Sequence, residues 1–103
     1  MSDRTVKKTD LSFTVEWVAK PGEAEALGRI IDKALPLFEK EPGLNVIRIH
    51  QSLKDPNRFF FYEIFADQKA YEAHLETDHF KKLILEEAVP KLAHRERVQH
   101  KIL

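Results

Sequence analysis

The sequence predicts a single-domain α+β fold whose elements follow one another as β-α-β-β-α-β. Three observations carry that order. Residues 11–19 alternate apolar and polar side chains with the period of two expected of a strand. Residues 23–40 repeat apolar residues at intervals of three and four, the stripe of an amphipathic helix. Two further apolar runs, 44–53 and 59–66, flank the turn-forming KDPNR of residues 54–58 and read as a hairpin.

Each element has its own grounds. In the first strand Leu11, Phe13, Val15 and Trp17 share one face, opposite Ser12, Thr14 and Glu16. Pro21 and Gly22 punctuate the helix entry at 20–23. Leu27, Ile30, Ile31, Ala34, Leu35 and Phe38 form the helical stripe, with Pro36 inside it and expected to kink or interrupt it. The EPG of residues 41–43 ends that helix. Residues 67–76 read as a short helix, and Thr77-Asp78 as the cap of another that runs to about Val89, before Pro90. Residues 95–103 alternate weakly and are the expected last strand. Strand, crossover helix, hairpin, second crossover and closing strand make the split-βαβ, ferredoxin-like arrangement with an antiparallel sheet. The polar residues 1–10 are expected to be a flexible N-terminal tail, leaving 11–103 as the domain.

Composition narrows the functional classes. Lys plus Arg and Asp plus Glu both number 17, so the formal net charge is zero. That argues against nucleic acid as a partner, which requires a net basic face. No apolar run approaches the roughly 20 residues of a membrane span, so no membrane partner is expected. The polar N-terminus does not read as a signal peptide. The chain has no cysteine, which excludes disulfides, thiolate metal sites and cysteine nucleophiles. A cytoplasmic protein is the expectation.

The third strand says more. Phe59, Phe61, Glu63 and Phe65 face one way, and Phe60, Tyr62 and Ile64 the other. Helices cover only one face of such a sheet, so the second should be polar, and it is not. A second copy of the same sheet would cover it, which predicts a homodimer with sheets packed face to face.

With these residues placed, a family resemblance emerges. Lys20-Pro21-Gly22, Glu41-Pro42-Gly43, Asp55-Pro56 with Arg58-Phe59, Tyr62-Glu63, and Ala73-His74-Leu75 with Thr77, His79 and Phe80 stand in the order and spacing of the antibiotic biosynthesis monooxygenase (ABM) domain family. The chain resembles that family over about residues 11–102. The resemblance implies ferredoxin-like sheets paired into a dimeric α+β barrel, with a pocket between each sheet and its helices. Some members are similar to cofactor-free oxygenases of quinols or polycyclic phenols. Others degrade haem or isomerise a phosphorylated signalling sugar.

His74 and His79 lie five residues apart, off the i, i+4 spacing that puts two metal ligands on one helix face, so no metal is expected. His74 is the candidate general base, in keeping with histidine's intrinsic proton affinity and with the family's AHL position. Its alternative is a buried hydrogen-bond partner of the sheet. Glu63 is a lone carboxylate among aromatic rings. It is the candidate to orient His74 or hold a proton, or else a structural partner of a cation such as Arg48. Trp17, Phe61, Phe65, Tyr71 and Phe80 are candidate walls for a flat ligand, and His79 a rim or capping residue.

No cofactor is expected. Haem-degrading relatives share an Asn on the first strand, a Trp on the third and a further His on the last helix. Residues 11–19 contain no Asn, and the other two positions are Phe65 and about Ile84. The expected function is a cofactor-independent monooxygenase oxidising a small quinol- or phenol-type aromatic with dioxygen. The alternatives are an isomerase of a small sugar-like molecule and a non-catalytic dimeric binding module.

Overall fold

In the computed structural model, which describes residues 4–103, strand β1 spans Leu11–Ala19 and helix α1 Ala24–Glu39. Strands β2 and β3 are Leu44–Gln51 and Arg58–Phe65, and helix α2 is Gln68–Glu76. A π-helical segment Phe80–Ala88, a 3₁₀ turn Val89–Lys91 and strand β4, Leu92–His100, complete the chain. The sheet order is β2-β3-β1-β4 with every pairing antiparallel. This is the ferredoxin-like α+β fold that the sequence predicts.

Strand parity sorts the side chains. The β1–β3 register sets Phe13 opposite Glu63, Val15 opposite Phe61 and Trp17 opposite Phe59, all on the face that meets the helices. From α1, Leu27, Ile30, Ile31, Ala34 and Phe38 press onto that face, and Ile84 and Ala88 close the core from the π-helical segment. Trp17, Phe38, Phe65, Leu27, Leu44 and Ile47 are its largest fully buried side chains.

Four local expectations differ from what forms. Pro36 does not interrupt α1, because it lies on the solvent face near the C-terminal end. There water can reach the carbonyl that loses its amide partner. The helix expected from Thr77 to Val89 is π-helical, with Val89 N–H bonding back five residues to the Ile84 carbonyl. Phe80, Ile84 and Ala88, its core-facing residues, recur at every fourth position, a spacing a wider helix accommodates. The last strand starts at Leu92 rather than 95, because Pro90 ends the helical path and the pairing with β1 begins at Ala19 across a register shift. The segment Arg4–Asp10, assigned to the tail, is tied to the domain. Arg4 N–H donates to the Asn45 carbonyl at 3.1 Å, and Asn45 Nδ2 donates to Asp10 Oδ2 at 3.2 Å. The first three residues of that tail lie outside the described residues.

One close approach fixes the loop after α1. The Gly43 carbonyl accepts the Ala66 N–H at 2.8 Å, and a Cβ at Gly43 would collide with the Ala70 side chain of α2. Glycine lets this loop lie against α2, one turn before His74.

Gly43→Ala is therefore expected to lower unfolding free energy by about 1–3 kcal/mol, read by urea denaturation. Gly28→Ala, inside α1 with nothing near its Cβ position, is the control. It should raise stability by up to about 1 kcal/mol.

Candidate active site

Between the sheet and the helices lies a cavity of about 300 Å³. Trp17, Val15, Phe38, Phe61, Phe80 and Ile84 supply apolar walls, and Glu63, His74, Tyr71, Arg95 and Arg97 supply polarity. The sheet contributes from β1, β3 and β4, so the register that builds the core also aims these side chains at one volume.

His74 comes from the last turn of α2, whose start is set by Asp67, with Oδ1 accepting the Ala70 N–H at 2.8 Å. The helix ends where the Thr77 hydroxyl donates to the His74 carbonyl at 2.8 Å and accepts from Phe80 N–H at 3.2 Å. That hydroxyl therefore closes one helix and opens the next. The His74 ring is packed by Phe38, Phe65 and Phe80, with centroids 5.0, 5.2 and 4.9 Å away.

The partner of His74 is Glu41, from the loop that Gly43 holds against α2. Nδ1 lies 2.9 Å from Glu41 Oε1 and 3.1 Å from Oε2. The same carboxylate meets His79 Nε2 at 2.7 Å. The two histidines thus share one acid drawn from 33 and 38 residues away. With Nδ1 held by Glu41, Nε2 is the His74 ring nitrogen left for another partner, a pattern in which a carboxylate fixes the imidazole's orientation.

Glu63 does not take that role. It lies in the cavity wall, 7% exposed, and its nearby cation is Arg97. Arg48 is paired in register with Tyr62 and so stands on the opposite face. Burial pushes the Glu63 carboxyl above its ordinary range, opposed by His74 and Arg97 and reinforced by Glu41.

Among the other residues expected at the site, Trp17, Phe61, Tyr71 and Phe80 line the cavity. Phe65, fully buried, backs His74 and Tyr71 without reaching the cavity. His79 sits outside it, on Glu41. Arg95 and Arg97 are not singled out by the sequence, and Glu41 is singled out there only as a family landmark, not as a partner of His74. Glu41 reads in the sequence only as part of the EPG that ends the first helix, while residues 95 and 97 share a parity in the sequence but the register that turns them inward is set by the pairing with β1. Outside the cavity, donor atoms of Glu16, His94 and Glu96 converge within 4.8 Å on the outer sheet face. Glu16 there already pairs with Arg58 and His94, each at 3.7 Å.

Comparison with known proteins bears on what this architecture is. The family model for antibiotic biosynthesis monooxygenase matches residues 12–84. The chain belongs to the ABM family. Among solved structures, this ABM chain is 29% identical to a protein from Pseudomonas aeruginosa, with a TM-score of 0.84 over 92% of this chain and 95% of the other. A Nitrosomonas europaea protein, itself provisionally assigned as an antibiotic biosynthesis monooxygenase, is 26% identical with a TM-score of 0.86, over 96% and 95%. A protein of unknown function from the same organism is 28% identical with a TM-score of 0.79, over 93% and 91%. No curated protein matches. Among the described residues, no helix of this ABM protein is long and apolar enough to cross a membrane.

The Glu63 environment has a measurable consequence. A carboxyl raised on folding contributes stability below its unfolded value of 4.5, and that contribution is lost as pH rises through the higher folded value. Wild-type protein should therefore lose melting temperature relative to Glu63→Gln as pH is raised from 4 to 8. Parallel melting curves across that range would contradict the burial effect.

Proposed function

We propose that the protein is a cofactor-independent monooxygenase that oxidises a small quinol- or phenol-type aromatic with dioxygen. The supporting observation is His74, fixed by Glu41 and lining an aromatic-walled cavity beside a carboxyl whose ionisation is disfavoured by burial. In this reading Nε2 of His74 removes the phenolic proton. The phenolate gives one electron to dioxygen, and the resulting radicals combine at the ring carbon para to the oxygen. The peroxide anion takes a proton from the His74 imidazolium; the neutral imidazole then removes the proton on that carbon as the O–O bond breaks, leaving a quinone carbonyl and hydroxide. The hydroxide expelled takes the proton held by Glu63 and departs as water. A phenol with an unsubstituted para carbon plus dioxygen thus gives a para-quinone plus water, and the substrate supplies all four electrons. Apolar walls limit the access of bulk water to the reactive anion, and the concave geometry holds the ring against its base.

The proton collected by His74 has a route outward in this scheme. Nδ1–H faces Glu41, and Glu41 faces His79 Nε2. Side-chain exposure rises along the series from 4% to 12% to 21%. Glu41 and His79 act here as positioning and relay groups rather than as contacts to substrate.

The functional unit in this proposal is a homodimer with sheets face to face. Phe60, Tyr62 and Val98 stand 45%, 36% and 42% exposed on the sheet face away from the helices. A second copy would remove that apolar surface from water. The same base beside a cationic wall also favours a second reading, enolisation of a small phosphorylated sugar-like compound, which would exchange a carbon-bound proton without taking up oxygen.

Oxygen-electrode measurements on flavin-free, metal-stripped protein with quinols and anthrone-like phenols should register uptake. His74→Ala should lower it by about 10²–10⁴-fold. Undiminished uptake in that variant would remove His74 from the mechanism. Light scattering should give twice the chain mass, and Phe60→Glu should shift it toward the monomer.

A further inference from the structure

Two guanidinium groups, Arg95 and Arg97, line the cavity from β4. Strand parity puts both on the helix-facing side, Arg95 opposite Trp17 and Arg97 opposite Val15 in the β1 register. Arg97 is not a freely waving surface side chain. Its Cζ lies 4.6 Å from the ring centroids of both Phe13 and Tyr71, which are themselves 4.9 Å apart. Stacking on two rings holds the planar group while leaving its edge N–H donors to be used.

Among the described residues neither arginine forms an ion pair, whereas Arg29 and Arg58 each do. The one acid in the cavity wall is Glu63, and burial disfavours its charged form. The cavity thus has two cations on one side, an aromatic floor, and His74 at the other end, and neither cation is held by an ion pair to its one acid. At about 300 Å³ it is at the small end of small-molecule pockets, which run from about 300 to 1,000 Å³. One or two fused rings fit such a volume.

We infer that the cavity takes an aromatic acid: a hydroxylated ring whose carboxylate docks on Arg95 and Arg97 and whose hydroxyl is directed to His74. A carboxylate matches the guanidinium fork in plane and spacing, and the ring finds the aromatic walls. This inference rests on the oxygenase reading only for the orientation of the hydroxyl; the carboxylate subsite stands or falls by binding alone.

The test uses the full-length protein and its single tryptophan. Trp17 lies in the cavity wall, so its fluorescence reports occupancy without turnover. 3-Hydroxybenzoate and 3-hydroxybenzamide differ in charge but hardly in shape, and both leave the carbon para to the hydroxyl open. The acid should bind at least tenfold more tightly than the amide. That preference should weaken with added salt and collapse in Arg97→Gln and in Arg95→Gln, two exposed positions on an edge strand. Circular dichroism verifies that each variant is folded.

Equal binding of acid and amide, absence of binding by both, or a preference that survives both substitutions would overturn the subsite. Tighter binding of ribose 5-phosphate than of the hydroxybenzoate would overturn the aromatic assignment. Oxygen uptake recorded in the same samples is a separate readout. Charge-selective binding without uptake would retain the subsite and sink the oxygenase, and uptake with no charge preference would do the reverse.

Discussion

The arrangement turns on one carboxylate. Glu41 meets His74 and His79 at 2.9 and 2.7 Å, and so ties the loop after α1, the end of α2 and the start of the π-helical segment into one unit. Without an acceptor there, the buried Nδ1 of His74 would lack a partner, at a cost of about 1–3 kcal/mol. The link also depends on backbone. Glu41 reaches α2 only because Gly43, two residues on, brings no Cβ against Ala70. A turn glycine thereby determines where an imidazole points, and the same contact fastens helix to loop.

Glu63 shows the opposite relation between fold and site. Nothing in the core requires an acid at that position on β3, and its neighbours on the same face of the strand, Phe61 and Phe65, are hydrophobic and buried. Its burial works against ionisation, so the fold carries a group that an apolar residue of similar size would replace with a gain in stability near neutral pH. Retaining such a residue makes physical sense if the proposed reaction draws a proton from the cavity wall. In the proposed reaction, structural cost and chemical use would fall on the same atoms.

What the sequence revealed and what it hid divide by range. The alternation of β1, the stripe of α1 and the turn at 54–58 depend on neighbours within a few residues, and all three elements form as read. The two faces of β3 were also readable, since parity alone puts Glu63 inside and Tyr62 outside. The partner of His74 was not, because it sits 33 residues away and no local pattern encodes which loop is drawn to which helix. For the same reason the five-residue gap between His74 and His79 was a poor guide. They meet a shared third residue, so their angular separation on one helix never mattered. The π-helical turn was hidden differently, for apolar residues at every fourth position suit an α-helix nearly as well. Arg95 and Arg97 fell between these cases, legible in parity but not in register, which a shift between Val18 and Ala19 sets.

Strand β4 is partnered on one side only and is exposed along most of its length. It is held by its backbone ladder to β1 more than by side-chain burial, so residues at 95, 97 and 99 can change with little effect on whether the chain folds. The Glu41–His74–His79 cluster, by contrast, is woven into buried helix and loop contacts. If the proposed roles hold, lineages descending from such a scaffold would be free to drift in what they recognise while keeping how they handle a proton. Divergence of ligand preference would then run ahead of divergence in chemistry, and it would be written along one edge of the sheet.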